Sequence, residues 1–153
     1  MAEFGYNDLQ TVQPGAGALL NTIRPCNRRP QLVMHEEQSP LIYLRGAGCN
    51  PCSKADYEAV WSGNIAIPEG GTAGEIQLAL AVDGQIIPLT IAAATPAAAA
   101  EFWQVGGVKT IRVDFGCCPT VSVVNASVSA TPATTPAPAV AVRNLNVAIT
   151  RVA

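Results

Sequence analysis

Apolar residues occupy alternate positions over several short stretches of this chain. The alternation is clearest from Ile76 to Val82, from Ile111 to Phe115 and from Leu145 to Ile149. A period of two is typical of β-strands, because successive side chains of a strand point to opposite faces of the sheet. The pattern therefore predicts strands in these three stretches. The continuous apolar run from Leu41 to Leu44 is a weaker strand signal.

Turn-forming residues separate the apolar stretches at intervals of about ten residues, which is the spacing typical of all-β domains. Glycine and proline dominate these positions because they supply backbone angles that other residues adopt poorly. The turn positions are Pro14-Gly15, Pro25, Pro30, Pro40, Gly46 to Gly48, Pro68 to Gly71, Asp83-Gly84, Gly106-Gly107, Gly116 and Pro119. The predicted fold class is all-β, with a single antiparallel sandwich or barrel.

Asp83-Gly84 is the strongest local signal in the sequence. Both residues tolerate the positive φ values of a type I′ turn, whose twist matches that of the two strands it joins. The sequence therefore predicts a hairpin with strands near 75–82 and 85–93.

Two segments depart from the strand pattern. Thr95 to Glu101 carries a capping threonine, a proline suited to the first helical position and four alanines. This composition favours a helical turn or two, with an irregular crossover as the alternative. The segment 125–139 is rich in proline, threonine and alanine and has no charge, which indicates an extended, exposed loop. The strand pattern then resumes and continues to Val152.

Small residues stand where a solvated sheet face would carry charges. Ala79 and Ala81 lie opposite the apolar row of one hairpin arm, and Ala92 to Ala94 lie on the other arm. A sheet that is apolar on both faces needs a cover on both sides. We therefore predict that Ala79, Ala81, Ala92 and Ala94 contribute to an interface between subunits. The alternative is an ordinary two-sheet sandwich with an alanine-rich outer face.

The composition also favours association with other subunits. Hydrophobic residues make up 49% of the 153-residue chain and charged residues 13%, and that charged share is about half the usual one.

A membrane-spanning helix is not predicted, because the most apolar stretch, Ile86 to Ala100, is interrupted by prolines and is too short. The net charge of −2 provides no basic surface for nucleic acid. The first residues lack the features of a secretory signal, so synthesis in a cytosol is expected.

The sequence predicts neither an enzyme nor a cofactor. The single histidine, His35, has no partner at a spacing that would make it a general base, and nucleophile-elbow, phosphate-loop and dinucleotide motifs are absent. Cys49 and Cys52 have the spacing of a metal clip, but a structural zinc site usually has two such clips or a clip with paired histidines. They are weak metal candidates.

Two further sets of residues invite a prediction. Cys117 and Cys118 are adjacent, and neighbours on a strand face opposite sides, so only one of them can point into the core. The other could meet Cys26, Cys49 or Cys52.

Trp61 and Trp103 are candidate ligand-binding aromatics that could stack on a sugar, although core packing is the commoner use of a tryptophan.

Several segments of the chain resemble small jelly-roll proteins of Firmicutes phages and prophages, whose shape is similar to that of tumour-necrosis-factor and complement-head domains. The motifs are structural and carry no catalytic residue across. The segments are Tyr57 to Thr72, Ile76 to Gly84, Gly116 to Cys118 with Val121 to Asn125, and Val147 to Ala153; Leu9 to Gly15 and His35 to Gly46 also fit.

The resemblance implies a homotrimeric antiparallel jelly-roll sandwich over residues 11–153, preceded by a tether at residues 1–10. It implies a virion structural protein, of the capsid-decoration or head-fibre type, assembled in the host cytoplasm. The expected partners are copies of itself, the major capsid protein or other virion proteins, and a host-surface glycan. The alternatives are a carbohydrate- or receptor-binding module of a tail fibre or spike, and a spore-surface protein, which the lack of a collagen-like repeat makes the weaker of the two.

Overall fold

The computed structural model describes residues 1–25, 32–46, 53–129 and 136–153. These residues form strands and one 3-10 turn, Pro88–Thr90, with no α-helix among them, which confirms the all-β prediction. The strands are β1 (Ala2–Tyr6), β2 (Gln10–Val12), β3 (Asn21–Arg24), β4 (Val33–His35), β5 (Ile42–Leu44), β6 (Lys54–Ala66), β7 (Ile76–Val82), β8 (Gln85–Ile86), β9 (Ala92–Ala94), β10 (Trp103–Asp114), β11 (Thr120–Asn125) and β12 (Val140–Arg151).

The first sheet contains the long strands. Its order is β10-β6-β12-β1-β3, and β2 pairs with the beginning of β12. The β6–β10 ladder is antiparallel and runs without a register shift from Trp103 opposite Ile65 to Asp114 opposite Lys54. This ladder and its β12 neighbour form the surface on which the candidate site lies.

The second sheet contains shorter strands in the order β4-β5-β11-β7-β8, with β9 pairing to β7 beside β8. All of its pairings are antiparallel. From β5 onwards, the chain crosses between the sheets repeatedly: β6, β10 and β12 belong to the first sheet, and β7 to β9 and β11 to the second.

The two sheets share one hydrophobic core and so form a β-sandwich. Each strand contributes alternate residues, as the period of two predicts. The largest fully buried side chains come from both sheets: Phe4, Tyr57, Trp61, Ile65 and Leu145 from the first, and Ile42, Leu44, Ile76, Leu78 and Leu80 from the second.

The predicted hairpin forms, but its second arm is interrupted. Asp83 and Gly84 adopt φ values of 50° and 77°, as a type I′ turn requires. The 3-10 turn that begins at Pro88 then interrupts the arm, because proline has no N–H to donate to a ladder. The Thr90 hydroxyl replaces the missing ladder by accepting the Leu80 N–H at 2.9 Å.

The helical turn predicted for Thr95 to Glu101 is wrong. Residues 97–100 form bends and a turn instead. The Ala100 N–H donates to the carbonyl of Ile67 at 2.9 Å, and the Ala97 N–H donates to the Glu101 carboxylate at 3.0 Å. Donors bound to these partners are not available for helical hydrogen bonds, so the irregular crossover is the outcome.

Residues 1–10 do not form a tether separate from the sandwich. Residues 2–6 are strand β1, which pairs with both β12 and β3 inside the first sheet. The side chains of Ala2 and Phe4 are buried in the core. The segment is part of the sandwich because β1 pairs with β12, with Ala2 opposite Ile149.

The segment 125–139 is only partly the exposed loop that its composition predicted. Residues 125–127 are buried, and the Asn125 amide donates to the carbonyls of Val12 and Pro138 at 2.9 Å each. Residues 130–135 lie outside the described residues. The predicted closing strand is confirmed as the last part of β12, which lies between β6 and β1.

Candidate functional site

The two tryptophans predicted as ligand-binding aromatics have opposite environments. Trp61 is 1% exposed and is part of the core, so it offers no face to a ligand. Its indole N–H is buried and has no hydrogen-bond partner in the described part of the chain. Trp103 is 47% exposed and remains a candidate.

The alanines predicted for an interface lie mostly inside the chain. Ala79 and Ala81 are fully buried within a single chain, so they have no surface to give to a neighbour. Ala92 and Ala94 lie opposite Leu78 and Ile76 on the core side of the second sheet. Ala79, Ala81 and Ala94 therefore have no surface for an interface between subunits, whereas Ala92 is partly exposed.

The cysteines do not form a described metal centre. Cys49 and Cys52, together with Cys26, lie outside the described residues. Cys117 and Cys118 are free and both exposed; they lie in the connection between β10 and β11 and not in a strand. Over residues 1–25, 32–46, 53–129 and 136–153, no group of three or more histidine, cysteine or acidic side chains is placed to hold a metal ion.

The hydrogen bonds of His35 have a structural role. Its Nε2–H donates to the Ser39 carbonyl at 2.9 Å, and its Nδ1 lies 3.2 Å from the Thr22 hydroxyl. Its ring packs against Phe4 with the centroids 4.9 Å apart. These contacts hold β4 and the following loop against β3, beside a cavity of about 450 Å³. Among the described residues, the hydrogen-bond partners of the imidazole are the Thr22 hydroxyl and the Ser39 carbonyl, and neither is a carboxylate.

A larger cavity of about 940 Å³ lies between the turn at residues 67–75 and residues 136–139. Its lining is mainly glycine, proline and alanine, and its only carboxylates among the described residues are Glu69 and Glu75. Glu75 already accepts a hydrogen bond from Gln77. The polar groups of this cavity therefore do not converge on one point, as they do in a typical ligand site.

A row of planar polar side chains crosses three strands on the outer face of the first sheet. Gln104 of β10 lies opposite Asn64 of β6, and Asn64 lies opposite Arg143 of β12. Residues directly opposite each other share a face, and this face is the one turned away from Trp61 and Ile65. None of the three side chains makes a hydrogen bond to a described residue; Gln104 and Arg143 are exposed, and Asn64 is partly buried.

A β-bulge in β12 sets the position of Arg143. The register between β12 and β6 shifts between Arg143 and Asn146, and Asn144 in the bulge has a φ of 51°. Asparagine is one of the few residues that tolerates this left-handed conformation. Bulges commonly redirect a side chain next to a functional site.

Arg143 stacks on an aromatic ring. Its guanidinium carbon lies 3.8 Å from the centroid of the Phe102 ring, a cation–π contact. Phe102 precedes β10 and is partly buried. The contact holds the guanidinium at the end of the polar row. We call Phe102, Arg143, Asn64 and Gln104 the arginine row.

Arg112 has a carboxylate partner and Arg143 has none among the described residues. Arg112 forms two hydrogen bonds with Asp56, at 2.8 and 2.9 Å, and this contact holds the pKa of Asp56 below its ordinary value and raises the pKa of Arg112. Arg143 makes no ion pair with any described carboxylate. Its charge is therefore available to a ligand.

Trp103 forms a second exposed group next to the arginine row in sequence. Its indole N–H donates to the Glu101 carboxylate at 3.2 Å, and the other oxygen of Glu101 accepts the Ala97 N–H. Because Trp103 lies opposite Ile65, its ring belongs to the inner side of the ladder, at the rim of the sandwich. The hydrogen bonds fix the orientation of a ring that is half exposed.

The rim beside Trp103 is almost free of charge. From Gly84 to Val108 the only charged residue is Glu101. β10 contacts the 3-10 turn and β9 along this rim. Three large apolar side chains in and beside the 3-10 turn are exposed: Leu89 (87%), Ile86 (40%) and Ile91 (40%). We call this surface the apolar rim.

Sequence reasoning found Trp103 but missed the arginine row, although the sequence contains a signal for it. The apolar residues of β12 occupy even positions at Val140 and Val142, and odd positions from Leu145 onwards. A switch of parity within one strand indicates an extra residue, which is a bulge. The stacking of Arg143 on Phe102 has no signal in the sequence, because the two residues are brought together by strand pairing.

Comparison with known proteins identifies no family for this chain. No protein-family description and no curated protein matches the chain. Solved structures do match, among them the C-terminal domain of EclA, described as a sugar-binding protein. It is 16% identical, with 82% of this chain and 89% of that chain covered at a TM-score of 0.37. A likeness this loose carries no argument about function. No helix in the described residues has the length and apolar character needed to span a bilayer.

Proposed function

We propose that the protein is a non-catalytic structural subunit that assembles as a homotrimeric jelly roll on the surface of a phage particle, as a decoration or head-fibre protein. The virion part of this proposal rests on the sequence resemblance. The assembly part is supported by the strand order and by the apolar rim. The exposure of Leu89 is the observation that carries it.

The order of crossings between the sheets supports a jelly roll. After β5 in the second sheet, the chain passes to β6, returns for β7 to β9, passes to β10, returns for β11 and ends in β12. A jelly roll folds two Greek keys into a sandwich and alternates between its sheets in this manner.

The apolar rim supports self-association. Leu89 is a large aliphatic side chain with 87% of its surface exposed, in a 3-10 turn that has no charged residue near it in sequence. Exposed apolar surface of this kind marks a site for a partner. A second copy of the chain is the partner that explains an apolar surface with so little charge, because obligate contacts between identical subunits are more apolar than other interfaces.

Light scattering of the purified protein tests the assembly. We expect a mass three times the 15.8 kDa of one chain. Leu89→Asp places a charge on the apolar rim and should reduce the mass to that of one chain. Leu9→Asp is the matched control, because Leu9 is also an exposed leucine, at 63%, but lies in the turn between β1 and β2. A wild-type monomer at high concentration would contradict the proposal.

A separate experiment tests the particle. Particles released from the bacterium that carries the gene are purified on a density gradient, and their proteins are identified by mass spectrometry. We expect this chain to co-purify with the major capsid protein. Its absence from particles that contain the other virion proteins would leave a trimer without a virion role.

Recognition of a carbohydrate receptor is a second candidate function. The observation that favours it is Trp103, an indole ring that is half exposed and held by its hydrogen bond to Glu101. A fixed aromatic face can stack on the C–H groups of a sugar at little entropic cost. Loss of binding on a glycan array by Trp103→Ala, with the mass of the assembly unchanged, would support this function.

A further inference from the structure

We infer that the arginine row is a binding site for an acidic saccharide, in which Arg143 receives a sugar carboxylate and the amides of Asn64 and Gln104 bind the adjoining hydroxyl groups. The inference goes beyond the structural role proposed above. It rests on the second candidate function, to which it gives a site and a class of sugar.

The geometry of the row fits a saccharide. Gln104, Asn64 and Arg143 lie on adjacent strands of one sheet, and neighbouring strands are about 4.8 Å apart. An amide offers one acceptor and two donors in a plane, so it can bind two neighbouring hydroxyl groups at once. Two such amides beside a guanidinium therefore present alternating donors and acceptors over the length of one or two sugar rings.

The chemistry of Arg143 selects an acidic sugar. A guanidinium binds a carboxylate through two parallel hydrogen bonds, and this pairing is stronger than hydrogen bonds between neutral groups. Arg143 has no carboxylate partner in the described residues, whereas Arg112 on the same face has Asp56. Charge complementarity thus favours a ligand that carries a carboxylate with which Arg143 can pair.

The site is already organised before a ligand binds. The Phe102 ring supports the guanidinium at 3.8 Å, and the bulge at Asn144 holds Arg143 on the outer face. A side chain fixed in its binding orientation loses less conformational entropy on binding than a free one. An arginine that served only solubility would need neither the stacking contact nor the left-handed residue beside it.

The test begins with an array of sialylated, uronic-acid-containing and neutral glycans. Calorimetry then measures binding of the acidic glycan that binds most tightly, and of the same glycan after its carboxyl group has been reduced to an alcohol. An oligoglutamate peptide of the same charge serves as a third probe. The variants are Arg143→Gln and Asn64→Ala. Arg151→Gln is the control, because Arg151 is an exposed arginine at the other end of β12.

We expect the wild-type protein to prefer the acidic glycan to its reduced form. Arg143→Gln should weaken binding of the acidic glycan about tenfold or more, the effect of losing a charge-assisted pair, and should not change binding of the reduced form. Asn64→Ala should weaken both forms, and Arg151→Gln neither. Equal binding of the oligoglutamate peptide would indicate a protein partner and would overturn the inference.

Two further results would also contradict the inference. If no acidic glycan binds, or if Arg143→Gln binds as the wild type does, the inference is wrong. Light scattering on the same samples separates the two proposals. A trimer that binds no acidic glycan leaves the assembly standing, and a monomer that binds one through Arg143 leaves only this inference standing. If only neutral glycans bind, and Trp103→Ala abolishes that binding, the carbohydrate function stands without the acidic site.

Discussion

The two ends of the β6–β10 ladder differ in how they meet their surroundings. At one end, Arg112 is paired with Asp56 at 2.8 Å, and Lys54 lies 3.5 Å from Asp114. At the other end, from Trp103 to Val108, the strand carries no charge and Val108 is 58% exposed. One ladder thus has an end with ion pairs and an uncharged end with exposed apolar surface.

The packing beneath the two ends differs as well. Under the uncharged end, Trp61 lies opposite Gly107, and a Cβ atom at Gly107 would lie only 2.9 Å from the indole nitrogen. Under the charged end, Tyr57 lies opposite Ile111, and both side chains fit in the core. The uncharged end therefore depends on close packing around one large ring, and the charged end does not.

The largest effect is expected from Trp61→Ala. Removal of a fully buried tryptophan should lower the free energy of unfolding by about 3–5 kcal/mol. Trp61→Phe should cost less, because it keeps an aromatic ring and removes an indole N–H that has no partner. Urea unfolding followed by circular dichroism measures both. Equal losses for the two variants would contradict the view that the ring itself supports this end.

Gly107→Ala should have a smaller effect, about 1–3 kcal/mol, which is typical of overpacking in a close-packed region. The added methyl group would meet a buried indole that cannot move freely. Thr110→Ala is the control on the same strand, since Thr110 is exposed towards the charged end, and its change should stay within about 0.5 kcal/mol. An alanine at 107 that leaves the urea midpoint unchanged would show that the packing there is loose.

The smallest effect is expected from the ion pair at the charged end. The hydrogen bond from Arg112 lowers the pKa of Asp56 in the folded protein. A lowered folded pKa means that the pair stabilises the fold above the ordinary aspartate pKa of about 4, and that this stabilisation is lost as the pH falls through the lower, folded value. Solvent screening keeps the contribution small.

Urea midpoints at a series of pH values measure this effect. The midpoint of the wild type should exceed that of Asp56→Asn at pH 6, and the difference should shrink as the pH falls below 4. Arg112→Gln should reproduce the behaviour of Asp56→Asn, because either change removes the same hydrogen bonds. A difference that grows in acid would mean that the pair does not stabilise the folded chain.

The sequence identified the elements whose cause is local. The period of two located the strands around Ile76 to Val82 and Leu145 to Ile149, and Asp83-Gly84 located a turn that has the required positive φ values. It did not tell that Trp61 is buried and Trp103 exposed, because alternation fixes a side chain's face relative to its neighbours only.

Tertiary structure decided the features that depend on distant residues. The sequence predicts a tether at residues 1–10, because no local pattern shows that Ala2 pairs with Ile149. The alanines at 79 and 81 read as an outer surface, and the folded chain encloses them. Likewise Phe102, which precedes β10, and Arg143 of β12 meet only because both strands pair with β6 in one sheet. Backbone preferences and periodicity are properties of neighbouring residues and can be inferred from the sequence. The burial of a side chain and its contacts depend on which strands pair in the folded chain.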